Sequence, residues 1–249
     1  MKKIETITVL LLFFINSTFA QIKNAEIKYK IKYNVTEKTS KIKQSKLINQ
    51  KSIKNEIESI EMNLLFNKDI SFFKAVESME IDNKRRVLGR IAKIMIGLGY
   101  DRYFCNINTK KIIREHEFEG NMYNITSGFN DNNWKLTNES KKIDNYNCFK
   151  ATKLKTFKNR NGDIVNLKII AWYTPEIPIP LGPKNYVGLP GLILELKEGY
   201  STFYITKIDL NSKKGIIIGS PKKGEVLTEK EYAKKTENSF DKFINSKKN

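Results

Sequence analysis

The sequence predicts a mainly β protein of the α+β class, an antiparallel sheet with one mid-chain helix and one C-terminal helix. Three observations carry that expectation. Apolar and polar residues alternate in one short segment after another, polar turn residues separate these segments, and helical spacing of apolar residues occurs in only two places. The chain has 249 residues, 40% apolar and 11% aromatic, which is too apolar for a disordered polyelectrolyte. With no internal repeat and no Pro, Gly or Ser linker, residues 21–249 are read as a single domain.

From Glu26 the alternation is strict. Ile27, Tyr29, Ile31, Tyr33 and Val35 fall on one side, and Glu26, Lys28, Lys30, Lys32 and Asn34 on the other, the pattern of a half-buried antiparallel strand. Thr39 to Asn55 is Lys, Ser, Gln and Asn with isolated Ile and Leu, and reads as a mobile excursion or long hairpin arm. Ile60, Met62, Leu64 and Phe66 alternate again. Asn67-Lys68-Asp69 then supplies a turn and Ser71 to Ser78 a second strand, so a hairpin is expected.

Between Asp82 and Gly99 the period becomes helical. Val87, Ile91, Ile94, Met95 and Leu98 mark one face, while Lys84, Arg85, Arg86, Arg90 and Lys93 crowd the start and the other face. Two readings are open: a helix packed on the sheet with a solvated basic face, or a basic amphipathic helix lying on anionic lipid or lipopolysaccharide.

Strands resume at Tyr100 to Ile107, Lys111 to Phe118, Met122 to Thr126, Trp134 to Thr137 and Tyr146 to Thr152. Asn161-Gly162 is a strong hairpin cue. Val165 to Tyr173, Leu192 to Leu196, Phe203 to Leu210 and Gly215 to Ile218 complete the β region. Thr228 and Glu231 form a Thr-x-x-Glu capping box, after which Tyr232, Phe240, Phe243 and Ile244 are spaced for a helix up to Ile244.

Residues 1–20 carry Lys2 and Lys3, a largely apolar run from Ile7 to Ile15, and Asn16-Ser17-Thr18-Phe19-Ala20. That order predicts a signal peptide cleaved after Ala20, and export to the periplasm or cell surface. The run is shorter than the roughly 18 residues a membrane span needs, and no later segment reaches that length. The residue after the cut is Gln21, so a lipid anchor on an N-terminal cysteine is not expected. Forty-five Lys and Arg against 27 Asp and Glu give +18. Loss of Lys2, Lys3 and Glu5 with the leader leaves +17, so the leader does not explain the charge.

The basic residues are expected on solvent faces of strands, in the segment from Thr39 and on one helix. Their dilution along every strand, in an exported chain, argues against nucleic acid as a partner. It suits an anionic envelope glycolipid or polysaccharide, or an outer-membrane protein. One His and two Cys leave too few ligands for a structural zinc, and no metal or cofactor is expected. Cys105 and Cys148 are expected to pair in an oxidising compartment. A loop of that length would stabilise the fold by about 4 kcal/mol in the chain-entropy model.

Five of the six prolines lie between Pro175 and Pro190. Pro175, Pro178, Pro180 and Pro183 force an extended crossing that cannot be a central strand. Leu189-Pro190-Gly191 suits a type II turn, and Leu192 to Leu196 then returns as a buried strand. Only one Lys lies between Trp172 and Leu196.

The hexapeptide Gly188-Leu189-Pro190-Gly191-Leu192-Ile193 resembles the signature of the GLPGLI family of exported proteins. The likeness extends to Ala171-Trp172-Tyr173-Thr174, Ile177-Pro178, Gly182-Pro183, Leu194-Glu195, Cys148-Phe149-Lys150-Ala151 and the Trp134-Leu136-Thr137 strand. It implies an envelope protein of mostly β structure without an established activity. The chain also resembles the bowl-like, non-catalytic N-terminal domain of one class of peptide-N-glycosidase, which implies a strongly curved antiparallel sheet or half-barrel.

On that basis the expected function is a non-catalytic binding or accessory module taking a peptide, glycan or lipid in a β bowl. Trp172, Tyr173, Pro178, Pro183, Tyr186 and Pro190 are the candidate binding residues. The competing reading of the same residues is packing, with the prolines building a corner. The enzymatic alternative is an envelope hydrolase using His116, or a Glu176 and Glu195 carboxylate pair. His116 sits mid-strand among acids, outside any HExxH or Gly-x-Ser-x-Gly pattern, and reads as a lone surface histidine. Glu195 is expected to face solvent or pair with a Lys.

Overall fold

The computed structural model of the chain describes residues 22–34, 50–77, 83–159, 162–212, 216–221 and 223–236. The strands are β1 (Asn24–Tyr33), β2 (Met62–Asn67), β3 (Ile70–Ala75), β4 (Arg102–Asn106), β5 (Lys111–Phe118), β6 (Asn121–Gly128), β7 (Lys135–Ile143), β8 (Tyr146–Lys158), β9 (Ile164–Thr174), β10 (Leu192–Glu198), β11 (Ser201–Asp209) and β12 (Glu225–Thr228). Helix α1 spans Gln50–Ser59, helix α2 spans Asn83–Met95, and residues 229–236 are helical. The expected leader, residues 39–49 of the expected excursion, and Phe240, Phe243 and Ile244 lie outside the described residues.

The twelve strands form one open, curved sheet in the order β12-β6-β5-β4-β3-β2-β1-β11-β10-β9-β8-β7. Neighbours are antiparallel except β12 and β6, which run parallel. The chain therefore builds one half outward from β1 through β6, jumps to the far edge at β7, and meanders back until β11 pairs with β1. The seam is β1, whose strict alternation now has a physical meaning. Ala25, Ile27, Tyr29, Ile31 and Tyr33 are buried on the inner face, while the intervening lysines lie on the outer one.

Burial on that inner face comes from three covers. Helix α1 packs Ile53 and Ile57 there, and α2 contributes Ala92 with Ile96 and Leu98 just beyond it. Two expectations change here. Gln50–Ser59 is a helix where an irregular arm was expected, because two isoleucines one turn apart suffice to seat it on the core. On α2, Val87 and Ile94 are exposed, because the face turned to α1 and the sheet is the one carrying Ala92.

The third cover is the proline crossing, residues 175–191. Ile177, Ile179 and Leu181 are buried and alternate with the outward Pro178 and half-buried Pro180. The amides of Ile179 and Leu181 each donate to the carbonyl two residues back, at 2.8 Å, so the segment is a ribbon of three-residue turns. The amide of Gly191 likewise donates to Leu189 O at 2.8 Å. The corner at Pro190 is thus a three-residue turn where a four-residue type II turn was expected.

Gly191 is required there by proximity. A Cβ would lie 2.0 Å from the carbonyl oxygen of Thr174. The irregularity in β10 between Ile193 and Glu195 frees the carbonyl of Ile193 from the ladder, and the buried Tyr29 hydroxyl donates to it at 2.7 Å.

The other expected strands up to β11 form with adjusted ends. The hairpin is β2 and β3, and the capping box forms, with Glu231 N donating to Thr228 Oγ1 at 3.2 Å and Thr228 N to Glu231 Oε2 at 2.7 Å. Residues 216–218 are irregular where a strand was expected. No helix among the described residues is long and apolar enough to cross a membrane.

Candidate functional site

The inner faces of β1, β4 to β6 and β8 to β11, together with the C-terminal end of α2 and the crossing, border a cavity of about 750 Å³. Alternation along β8 turns Lys153, Lys155 and Phe157 toward it, opposite Ile169, Leu167 and Val165 of β9. Half-buried Lys153 corrects the expectation that strand lysines all face solvent, while Lys155 on the same face remains exposed. The register that buries Ala151 on the inner face puts Lys153 and Lys155 on the same side.

Two groups of charged and polar side chains are fixed around the cavity. In the first, the Glu198 carboxylate accepts hydrogen bonds from Lys184 Nζ at 2.6 Å, the Tyr186 hydroxyl at 2.7 Å and Lys155 Nζ at 2.9 Å. Lys184 Nζ also donates to Ile96 O at 2.7 Å, tying the crossing to the end of α2. Burial acts to raise the Glu198 pKa. The Lys184 ammonium, then Lys155 and the hydrogen bonds, outweigh burial and hold it at about 2. Burial lowers that of Lys184 despite Glu198, and raises that of Tyr186. Lys184 is the single lysine of the motif, and its backbone has a φ of +57°.

In the second group, Asp101 accepts from Arg114 at 3.3 Å and from the Tyr103 hydroxyl at 3.2 Å, and lies 2.5 Å from His116 Nδ1. Arg114 donates a further hydrogen bond to Glu229 at 3.0 Å, and Tyr232 stacks edge-on against His116. These contacts fasten the C-terminal helix to β5. His116 is therefore a packed member of a polar network, where a lone surface histidine was expected.

None of the six candidate binding residues lines the cavity. Trp172 is on the outer face, with Lys141 Nζ 4.5 Å and Lys150 Nζ 5.9 Å from its ring centre. Tyr173, Pro183 and Tyr186 are buried, and Pro178 and Pro190 are exposed at the outside of the crossing. Within the motif, Gly188 and Pro190 are exposed while Leu189, Gly191, Leu192 and Ile193 are buried. Tyr186 reaches the site indirectly, through Glu198.

Glu195 pairs with Lys141 at 2.9 Å, as expected. Glu176 is held separately, by Asn147 N at 2.8 Å. The bridge expected between Cys105 and Cys148 is not formed. Both thiols are free and buried, on β4 and β8 with six strands between them in the sheet order. Burial raises their pKa to about 12 and about 11. No cluster of metal-ligating side chains occurs among the described residues.

Sequence reading missed Asp101, Arg114, Lys153, Lys155 and Glu198. The available signal was Lys153 and Lys155 at alternate positions in register with Ala151 and Phe157, which marks a face only once the strand's buried side is known.

A family described as a protein of unknown function (Porph_ging) matches residues 164–195. That stretch is β9, the crossing and the start of β10. The match includes the hexapeptide, and the GLPGLI name expected from it is not confirmed by this family's description. No curated protein sequence matches the chain. Among solved structures, PNGF-II in space groups C2 and P21 is similar, in each case with a TM-score of 0.46 and 15% identity over 83% of this chain. The chain spans 31% of the length of PNGF-II.

Proposed function

We propose that the chain is an exported, non-catalytic binding or accessory protein of the cell envelope, of the GLPGLI kind, that holds a small ligand in the cavity beside α2. The observation that carries this reading is the cavity itself. Its volume of about 750 Å³ suits a small-molecule site, and its acids are engaged, Glu198, Asp101 and Glu229 in ion pairs and Asp131 by the Gly128 amide, rather than poised as free acid and base. The leader pattern supports the periplasm or cell surface as its location. Lysines on the outer face of β1 and the exposed Arg86 and Arg90 of α2 support contact with anionic glycolipid or polysaccharide.

Native mass spectrometry of the full chain, exposed to an envelope extract, tests the reading. A chemically unchanged small-molecule adduct is expected, and Ser127→Trp, which fills the cavity wall, should remove it. An adduct that survives in S127W, or that is a cleavage product, refutes the reading.

One observation favours the hydrolase alternative, the hydrogen bond between His116 and Asp101. No hydroxyl or thiol hydrogen-bonds the His116 ring among the described residues, so the pair lacks a nucleophile to activate. Under the binding reading, His116→Ala leaves adduct formation intact.

A further inference from the structure

We infer that the ligand of this cavity is an anionic amphiphile, its carboxylate or phosphate set against Lys153 and Lys155 and its apolar body along the mouth. The inference rests on the cavity being a binding site, and it names the chemistry that site selects.

The charge argument begins with Lys153. Its ammonium donates to Asn132 Oδ1 at 2.8 Å and Asp131 O at 3.4 Å, and lies 5.8 and 5.6 Å from the ring centres of Trp134 and Tyr186. All of these partners are neutral groups, and no carboxylate lies within salt-bridge distance of it among the described residues. Asp131 attracts it from farther off, while the Asp131 carboxylate is engaged by the Gly128 amide at 2.7 Å.

Two positions along the same face stands Lys155, which shares Glu198 with Lys184. Three ammonium groups thus face Glu198, whose two oxygens are already taken, and the more distant Asp131 carboxylate. Burial first, and then the like charge of Lys155, lower the pKa of Lys153 against the pull of Asp131 and Glu198. An anion placed between them relieves that repulsion. The acids across the cavity do not compete for the cations, because Asp101 and Glu229 are engaged by Arg114.

The apolar argument comes from the mouth. Ile94 is 59%, Met95 39%, Phe157 43% and Tyr200 41% exposed, and all four border this cavity. Large apolar side chains left in water around a concavity with charged walls match a ligand that is apolar at one end and anionic at the other.

Fluorescence titration of the full chain with anilinonaphthalene sulfonate tests this against neutral phenylnaphthylamine, which has the same rings without the anion. One saturable site for the sulfonate is expected, with the neutral probe bound at least about tenfold more weakly. Lys153→Gln and Lys155→Gln should each weaken the sulfonate by about tenfold and leave the neutral probe unchanged. The comparison of the two probes on the unaltered chain stands even if a variant misfolds.

Decanoate and decyl phosphate should displace the sulfonate, the better competitor telling carboxylate from phosphate, while inorganic phosphate should not. Equal binding of both probes, or lysine variants without effect where S127W abolishes binding, would overturn the anionic preference and leave the cavity as a ligand site. Sulfonate binding that survives S127W would overturn both.

Discussion

Replacing Glu198 with Gln removes the one carboxylate on which Lys155, Lys184 and Tyr186 converge. Its side chain is 10% exposed and that of Lys184 5%, so solvent screens the pair little. The folded-state pKa is about 2 against an ordinary 4.5. At about 1.4 kcal/mol per pH unit, that drop corresponds to about 3 kcal/mol. Because the folded value is the lower one, the unfolded chain binds the proton first as pH falls. The contribution is fully present above pH 4.5 and is lost progressively toward pH 2.

Glu198→Gln leaves the Lys184 ammonium buried without its counter-charge, at a cost of about 3 to 5 kcal/mol at neutral pH. Urea unfolding followed by tryptophan fluorescence, on wild type and variant at pH 7, 4.5 and 2.5, measures both quantities. The difference in unfolding free energy between the two proteins should be largest at pH 7 and shrink by about 3 kcal/mol as pH approaches 2. A difference that does not change with pH, or one below about 1 kcal/mol at pH 7, would show that Glu198 is not held as a buried carboxylate by these cations.

Three further outcomes follow from the packing. Both cysteines should remain unreactive toward a thiol reagent at pH 8 in the folded chain and titrate as two free thiols in denaturant, since burial raises their pKa to about 12 and about 11; a covalent dimer or a value of zero in denaturant would contradict the free state. Gly191→Ala should cost about 3 kcal/mol or more, read as a thermal shift or loss of soluble protein, because the new Cβ lies 2.0 Å from Thr174 O. Tyr29→Phe should cost about 1 to 2 kcal/mol in urea unfolding, because it leaves the buried Ile193 carbonyl without its 2.7 Å donor.

What the sequence makes legible is one face of each element at a time. Strict alternation in β1 identifies its buried residues, the polar turn between β2 and β3 identifies a hairpin, and Thr228 with Glu231 locates a helix start that the structure forms as expected. Helix α1 is not legible, because Ile53 and Ile57 are its only buried residues in ten. The parallel pairing of β12 with β6 is likewise invisible, since Glu225–Thr228 has no alternation of its own and is placed by contacts from residues a hundred positions away. The site is hidden for a related reason. A lysine on a strand looks solvated until the curvature of the sheet puts its face over a cavity, and Lys184 shows its partner only when the chain has turned back to Glu198.

The matched stretch, residues 164–195, gives the cavity only Leu167, Lys184 and Asn185. The other walls come from β1, α2, β4 to β6, residues 131–132, β8, the β10 to β11 turn and Glu229. The proline crossing therefore acts as a frame. It fills the inner face with Ile177, Ile179, Leu181 and Leu189, and its stiff backbone carries Lys184 to Ile96 and Glu198. Frame and wall predict different consequences for substitution. In Gly182→Ala the new Cβ would lie 2.6 Å from Ile193 Cδ1 and 2.9 Å from Tyr186 O. That strain should lower the melting temperature and the affinity for anilinonaphthalene sulfonate together, because Lys184 and Glu198 are displaced with it. Lys153→Gln should lower affinity while shifting stability by less than about 1 kcal/mol. A Gly182→Ala chain that melts normally yet loses the probe would place the crossing in the binding wall itself, and the division between frame and wall would fail.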